Sequence, residues 1–377
     1  MRRARRPGVV VYDGRPHQPL DEHARVTLEH LGARLAYVRD YDYLGHFQPR
    51  HGRRPLYFVP RDTLLVDEAR ALGIDSRDDF FGGIVPYPVL QTKAIAHPLV
   101  DDTAMAPAGW CPALGARLAP VTLPGYAAFS KGDARRAALL LLARGAVRLK
   151  AGAGVGGLGQ WPVNDEHELD AVLDGLEEAA VNDTGLVVEI NLRRSLTYGV
   201  GQLHLGERVY SYFGTQRSTR NHAGKDVYAG SDLQVVRGDF DALLAVKCSP
   251  DVKLAIRQAK AFDAAVRASF AGLLVTRNNY DVIQGCDCAD RPHSGVLDQS
   301  WRIGGASPAE IAAIEAFDHD PALRLVRVST IEHYGAIEPP HHARIHYSGV
   351  DPRVGQITKY TLVDADEHAA AVVYHPG

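Results

Sequence analysis

The sequence predicts a mixed α/β protein of three packed bodies followed by a β-rich tail. Three observations carry this. Over the first ~90 residues short apolar runs alternate with helical periodicities, which implies parallel strands joined by crossover helices. A stretch holding Pro107, Pro112, Pro120 and Pro124 reads as the loop joining this part to a second unit, which carries glycines at 152, 154, 156, 157 and 159. From Leu323 onward apolar and polar residues alternate, the period of half-buried strands.

The elements follow in order. Gly8–Tyr12, closed by Asp13-Gly14, reads as a buried strand and turn. Leu20, Ala24, Leu28 and Leu31 share one side of a helix that Gly32 stops. Leu35–Val38 and Leu56–Val59 read as the next strands, and Asp67–Leu72 as a short helix ended by Gly73. Lys131–Arg144 reads as a helix with Asp133 in its first turn and Gly145 just past its end. Ala146–Lys150 is a strand leading into the glycines. Asp165 and Glu168 have capping-box spacing for a helix reaching about Ala180, and Gly185–Ile190 is a strand. Leu203–Leu205 and Val209–Phe213 flank a turn at Gly206-Glu207-Arg208. In Asp251–Phe270 the residues Val252, Ile256, Ala259, Phe262, Val266 and Phe270 repeat at helical steps, and Gly272 ends the helix.

Composition narrows the function. The 377 residues suffice for two or three domains, and 42 Lys+Arg against 45 Asp+Glu leave a net charge of −3, no electrostatic basis for nucleic-acid binding. The longest aliphatic run, Ala137–Ala143, is far below the ~20 residues of a membrane helix. Arg2, Arg3, Arg5 and Arg6 precede an apolar segment of only Val9–Tyr12, below the ~7–15 residues of a signal sequence. They read as a basic tail entering a strand. Cysteines at 111, 248, 286 and 288 form no disulfide framework, so a reducing cytoplasm is expected.

Gly152-x-Gly154-x-x-Gly157 matches the dinucleotide fingerprint as a pattern. That fingerprint needs a helix opening at the glycines, whereas Trp161-Pro162-Val163 intervene here. A glycine flap between two strands, with backbone N–H groups closing over phosphates, fits better. Lys150 directly precedes it, and Lys93 is a second candidate phosphate ligand.

Arg277–Asp281 and Gly295–Arg302 read as strands of a hairpin centred near Ala289-Asp290, which sets Asp281 opposite Asp298. Alternation puts Asp298, Ser300 and Arg302 on one face. Two facing carboxylates repel unless a cation lies between them, and a hard Mg²⁺ with oxygen ligands meets that need. The competing reading is a surface hairpin of ordinary charges. Arg217, Arg220, His222 and Lys225 lie in a polar stretch, Gln216–Asp226, which reads as a loop suited either to a substrate carboxylate or to solvent. Cys286, Cys288 and His293 complete no four-ligand zinc set. His341, His342 and His346 read as surface histidines, and Trp301 and Phe262 as core.

In this order, the lysines, flap and paired strands resemble the ATP-grasp superfamily of carboxylate–amine ligases, over roughly residues 90–320, and an uncharacterised bacterial branch of it. The resemblance implies an ATP-grasp fold. An N-terminal Rossmann-like domain would span residues 1–120, a lid subdomain with the flap 121–192, a metal-site subdomain 193–320 and a β-rich extension 321–377. It implies ATP held by Lys93, Lys150, the flap glycines Gly154, Gly156 and Gly157, an adenine-side Glu189 and backbone near Leu192. It implies Mg²⁺ on Asp281, Asp298 and Ser300. Asp298 and Ser300 depart from the family's usual Glu and Asn, which weakens the expected hold on a second metal. Arg302 takes the place of an oxyanion-stabilising arginine. The implied reaction joins a small-molecule carboxylate to an amine (or thiol) through an acyl phosphate. A small-molecule kinase, a non-catalytic nucleotide binder and, on the glycine pattern alone, an NAD(P)-dependent oxidoreductase stand as alternatives. Homodimers are common for that fold. The tail after Leu323 is expected to cover the site or to make a subunit contact.

Overall fold

The computed structural model describes residues 6–15, 18, 20–51, 54–154, 159–220, 224 and 226–364. Gly156, Gly157, His222 and Lys225 therefore lie outside the described residues, as do Arg2, Arg3 and Arg5. Among the described residues no helix is long and apolar enough to cross a membrane.

The chain opens with β1 (Gly8–Tyr12), α1 (Glu22–Arg39), β2 (Asp42–His46) and β3 (Leu56–Pro60), the strands forming a parallel sheet in the order β2-β1-β3. The expected strand Leu35–Val38 is instead the last turns of α1. Leu35 and Ala36 continue the periodicity of Leu28 and Leu31, so burial against β1 carries the helix past Gly32. Gly32 is no stop. A side chain there would drive into Val11 and Tyr43, so glycine lets the helix approach the sheet. The helix ends at Asp40, which is left-handed (φ 54°). β4 (Leu64–Leu65), α2 (Val66–Ala71) and β5 (Gly83–Val85) complete this part. The proline-rich stretch is partly helical: α3 (Pro112–Leu118) starts on Pro112, whose missing N–H costs nothing at a helix start.

A compact α/β body follows: β6 (Gly125–Ala128), α4 (Lys131–Leu142), β7 (Val147–Ala151), β8 (Gln160–Val163), α5 (Glu166–Asp174), α6 (Glu178–Thr184) and β9 (Leu186–Ile190). Its sheet is antiparallel, ordered β6-β9-β7-β8. The single helix expected up to Ala180 is two, interrupted at Gly175. Ser130 caps α4, and the Asp165 carboxylate accepts from the Glu168 N–H at 2.8 Å.

The remainder centres on one large antiparallel sheet. It comprises β10 (Arg193–Leu205), β11 (Arg208–Arg220), β12 (Asp226–Arg237), α7 (Phe240–Leu244), α8 (Pro250–Ser269), β13 (Leu274–Val275), β14 (Arg277–Cys286), β15 (Pro292–Ser300), α9 (Ser307–His319), β16 (Leu325–Tyr334), β17 (Arg344–Asp351) and β18 (Gly355–Asp364). The order is β15-β14-β10-β11-β12-β16-β18-β17, while β13 leaves this sheet to pair with β5. The described part of the tail after Leu323 extends the sheet itself through β16, β18 and β17. Gln216–Arg220 and Asp226 are strand residues, so the expected polar loop shrinks to the end of a hairpin. Phe262 and Trp301 are buried as expected.

β17 packs against α1, and there His346 is buried, not exposed as expected; its ring lies 4.4 Å from that of His30. His341 and His342 are exposed. Burial, then Arg34 and Arg344, pull His30 down to about 4. Burial, then His30, Arg344 and Lys359, pull His346 to about 3. Both rings are neutral in the fold, whereas in the unfolded chain they take up protons below about 6.5. Stability is therefore expected to fall as pH drops from about 6.5 toward 4, by an amount on the order of a few kcal/mol. Chemical denaturation at stepped pH checks this, with His346→Gln flattening the slope.

Candidate active site

The site forms where the four-stranded sheet, the turn at Lys93 and the β14–β15 hairpin meet. β7 and β8 pair antiparallel, so the glycine stretch joins two strands, and among the described residues no helix opens at it. The oxidoreductase fingerprint thus lacks the helix it requires. At the base of the flap Gly152 donates to the Gly185 carbonyl at 2.8 Å. A side chain at Gly152 would strike the Thr184 carbonyl, so this close approach demands glycine. Gly154 N–H is tied to the Ala151 carbonyl at 3.0 Å.

Lys150, at the end of β7, points into the protein and is ion-paired with Glu189 of β9, both nearly fully buried. His97 Nε2 lies 3.3 Å from the other Glu189 oxygen. Burial alone would raise the Glu189 carboxyl; Lys150 and His97 outweigh it and bring it down to about 2. Leu192 is buried in the segment between β9 and β10.

Lys93 opens the 3-10 turn Lys93–Ala96, which the Thr92 hydroxyl caps. Its N–H donates to the Gly152 carbonyl at 3.1 Å, which ties the turn to the flap base. The Gln299 amide clamps the same segment from β15, donating to the Thr92 carbonyl at 2.7 Å. The Lys93 ammonium lies 3.3 Å from Asp298 Oδ2.

Asp281 and Asp298 are direct partners in the β14–β15 register, as the sequence predicts. Asp281 Oδ1 accepts from Asn279 Nδ2 at 2.9 Å and Gln216 Nε2 at 3.0 Å. Burial, then the Asp298 charge, raise its pKa. Two facing carboxylates, with one oxygen of Asp281 held by two amides, make a donor set suited to a divalent cation. Ser300 is differently placed: its hydroxyl lies 3.4 Å from Arg277 Nη1, so a cation drawing on it would face a guanidinium. Among the described residues no third His, Cys, Asp or Glu joins the pair, and Cys286, Cys288 and His293 make no metal cluster; His293 instead pairs with Asp287 at 3.1 Å.

Arg277 is likewise nearly fully buried. It forms a buried ion pair with Glu310 of α9 at 2.5 Å and donates to the Ser300 and Arg302 carbonyls at 3.2 and 2.6 Å. The Tyr212 hydroxyl donates to Glu310 at 2.6 Å and lies 3.1 Å from Asn279 Oδ1. A polar chain thus runs from α9 through Tyr212 and Asn279 to Asp281. Arg302 donates to the Ile303 carbonyl at 2.8 Å and forms no ion pair among the described residues; burial lowers its pKa. Arg217 is bound to Asp232 of β12, its Nε at 2.7 Å, and Arg220 ends β11 opposite Asp226.

Sequence reasoning missed His97, Gln216, Tyr212 and Glu310. The polar run Arg277-Asn278-Asn279 opening β14, ahead of Asp281, was the available sign of a polar network; single residues on distant elements give none.

This arrangement, a glycine hairpin with a preceding lysine facing paired carboxylates on a large antiparallel sheet, is the ATP-grasp fold. Two solved structures match it over nearly the whole chain. A phosphoribosylamine–glycine ligase from Thermotoga maritima matches with a TM-score of 0.53 and 11% identity, over 96% of this chain and 93% of its own. A biotin carboxylase from Campylobacter jejuni, solved as a β,γ-ATP complex, matches with a TM-score of 0.51 and 12% identity, over 96% and 88%. Within that fold the chain belongs to the family described as "Protein of unknown function (DUF3182)", whose model matches residues 9–361. No curated protein matches it by sequence.

Proposed function

We propose that the chain is an ATP- and Mg²⁺-dependent ligase that joins a small-molecule carboxylate to an amine or thiol. The observation that carries this reading is that Lys93 joins the flap base, through the Gly152 carbonyl, to the Asp281–Asp298 pair, with Lys150 just before the flap, on an ATP-grasp frame. In this reading Lys93, Lys150 and the flap hold the phosphates, and Glu189 and the backbone near Leu192 flank the adenine. Asp281 and Asp298, with Ser300 at their side, hold Mg²⁺. When bound there, Mg²⁺ would supply positive charge against the transferring phosphoryl group. The substrate carboxylate attacks the terminal phosphorus, ADP leaves, and the nucleophile displaces phosphate from the acyl phosphate. Arg302, which forms no ion pair among the described residues, stabilises the tetrahedral oxyanion. Flap closure excludes water from the acyl phosphate. Arg217 and Arg220, on β11, are assigned to the substrate end, as is Lys225, which lies outside the described residues.

The test is thermal unfolding with ATP or a non-hydrolysable analogue, each with and without Mg²⁺, followed by ADP release on panels of acids and amines. Nucleotide is expected to raise the midpoint only with Mg²⁺, by mass action. The Asp281→Asn, Asp298→Asn double variant is expected to lose that rise. No rise in wild type sinks the reading. A second reading, nucleotide binding without turnover, draws support from the guanidinium beside Ser300. A Mg²⁺-dependent rise without ADP release on any substrate pair selects it; a phosphorylated hydroxyl product selects a kinase. The four free cysteines support work in a reducing cytoplasm. A homodimer is the proposed assembly, checked by light scattering.

A further inference from the structure

Resting on that ATP–metal reading, we infer that Lys93 is a resident cation: its ammonium occupies the carboxylate pair until metal and polyphosphate arrive together, so neither binds well alone. Lys93 is nearly buried, held in place by the Gly152 carbonyl on its own N–H and by the Gln299 clamp on Thr92. Its Nζ stands 3.3 Å from Asp298 Oδ2. No other lysine or arginine forms an ion pair with Asp281 or Asp298 among the described residues. A metal on Asp298 must displace that ammonium from the oxygen it holds. A bare metal then leaves a nearly buried ammonium without a counter-charge, which is costly. A bare polyphosphate draws Lys93 away and leaves two uncompensated carboxylates facing the phosphates, which repel. Metal and polyphosphate together satisfy all three groups, since the metal takes the carboxylates and the released ammonium takes a phosphate. Metal and nucleotide are therefore coupled through one side chain, and linkage requires the coupling to be mutual.

The experiment is Mn²⁺ titration followed by the electron paramagnetic resonance of the free ion, on wild type, Lys93→Gln and Lys93→Arg, with and without a non-hydrolysable ATP analogue. In wild type the analogue is expected to tighten Mn²⁺ about tenfold or more, a typical coupling. Lys93→Gln is expected to bind bare Mn²⁺ about tenfold more tightly than wild type and to lose most of the coupling, whereas Lys93→Arg keeps both wild-type features. Bare-Mn²⁺ affinity in Lys93→Gln no higher than in wild type overturns the inference. Wild type alone decides the matter if that variant does not fold: equal Mn²⁺ affinity with and without analogue overturns it too. Mn²⁺ bound by no protein under any condition overturns the metal–nucleotide reading itself, together with this inference.

Discussion

Glu310→Gln is expected to destabilise the protein by about 3–5 kcal/mol, the usual cost of leaving one member of a buried ion pair uncompensated. Arg277 is 2% exposed and Glu310 fully buried, so no solvent takes over the guanidinium charge. The loss extends beyond the pair. Glu310 also accepts the Tyr212 hydroxyl, and Arg277 pins the carbonyls of Ser300 and Arg302. The variant should therefore loosen the end of β15, which carries Asp298, as well as lowering the urea midpoint. Replacing both residues by apolar ones of similar size, Arg277→Met with Glu310→Leu, is expected to recover much of the stability, because the desolvation cost of both charges disappears. Urea unfolding of the two single variants and the double reads this as a cycle. A single variant within about 0.5 kcal/mol of wild type, the range of an ordinary surface change, contradicts it.

The second large effect concerns Glu189. Its carboxylate answers Lys150 on one oxygen and His97 on the other, with all three groups almost wholly buried. Glu189→Gln is expected to cost about 3–5 kcal/mol for the same reason as Glu310→Gln. Here the damage should be local to the β6-β9-β7-β8 sheet, seen as faster amide exchange in β7 and β9. The pH dependence supplies an independent readout. The folded pKa is depressed, to about 2, so the stabilisation is complete above the ordinary glutamate value near 4.3 and is lost as pH falls from there toward 2. It amounts to something on the order of 3 kcal/mol. The histidines of the α1–β17 contact act at higher pH, between about 6.5 and 4. Glu189→Gln should flatten the lower window and leave the upper one, while His346→Gln should do the reverse. Identical acid profiles for Glu189→Gln and wild type would sink this assignment.

The sequence by itself determined the elements whose signals are local. The strand β1, the strands β7 and β8 on either side of the glycines and the long periodic helix α8 sit where periodicity and turn residues place them. The Asp281–Asp298 pairing was anticipated from the hairpin turn, but a bulge between Asp281 and Val282 shifts the register by one and brings Asp298 opposite Asp281. Local patterns failed where distant surfaces decided. Leu35–Val38 is helix because β1 offers α1 a surface to bury against, and Gly32 serves that approach. His346 is buried because α1, more than three hundred residues earlier, covers β17. The partners of the site residues were illegible for the same reason. Lys93 meets Asp298, Lys150 meets Glu189, and Arg277 meets Glu310 across separations no sequence window spans. A buried charge needs a counter-charge, but only the packed chain decides which one comes within reach.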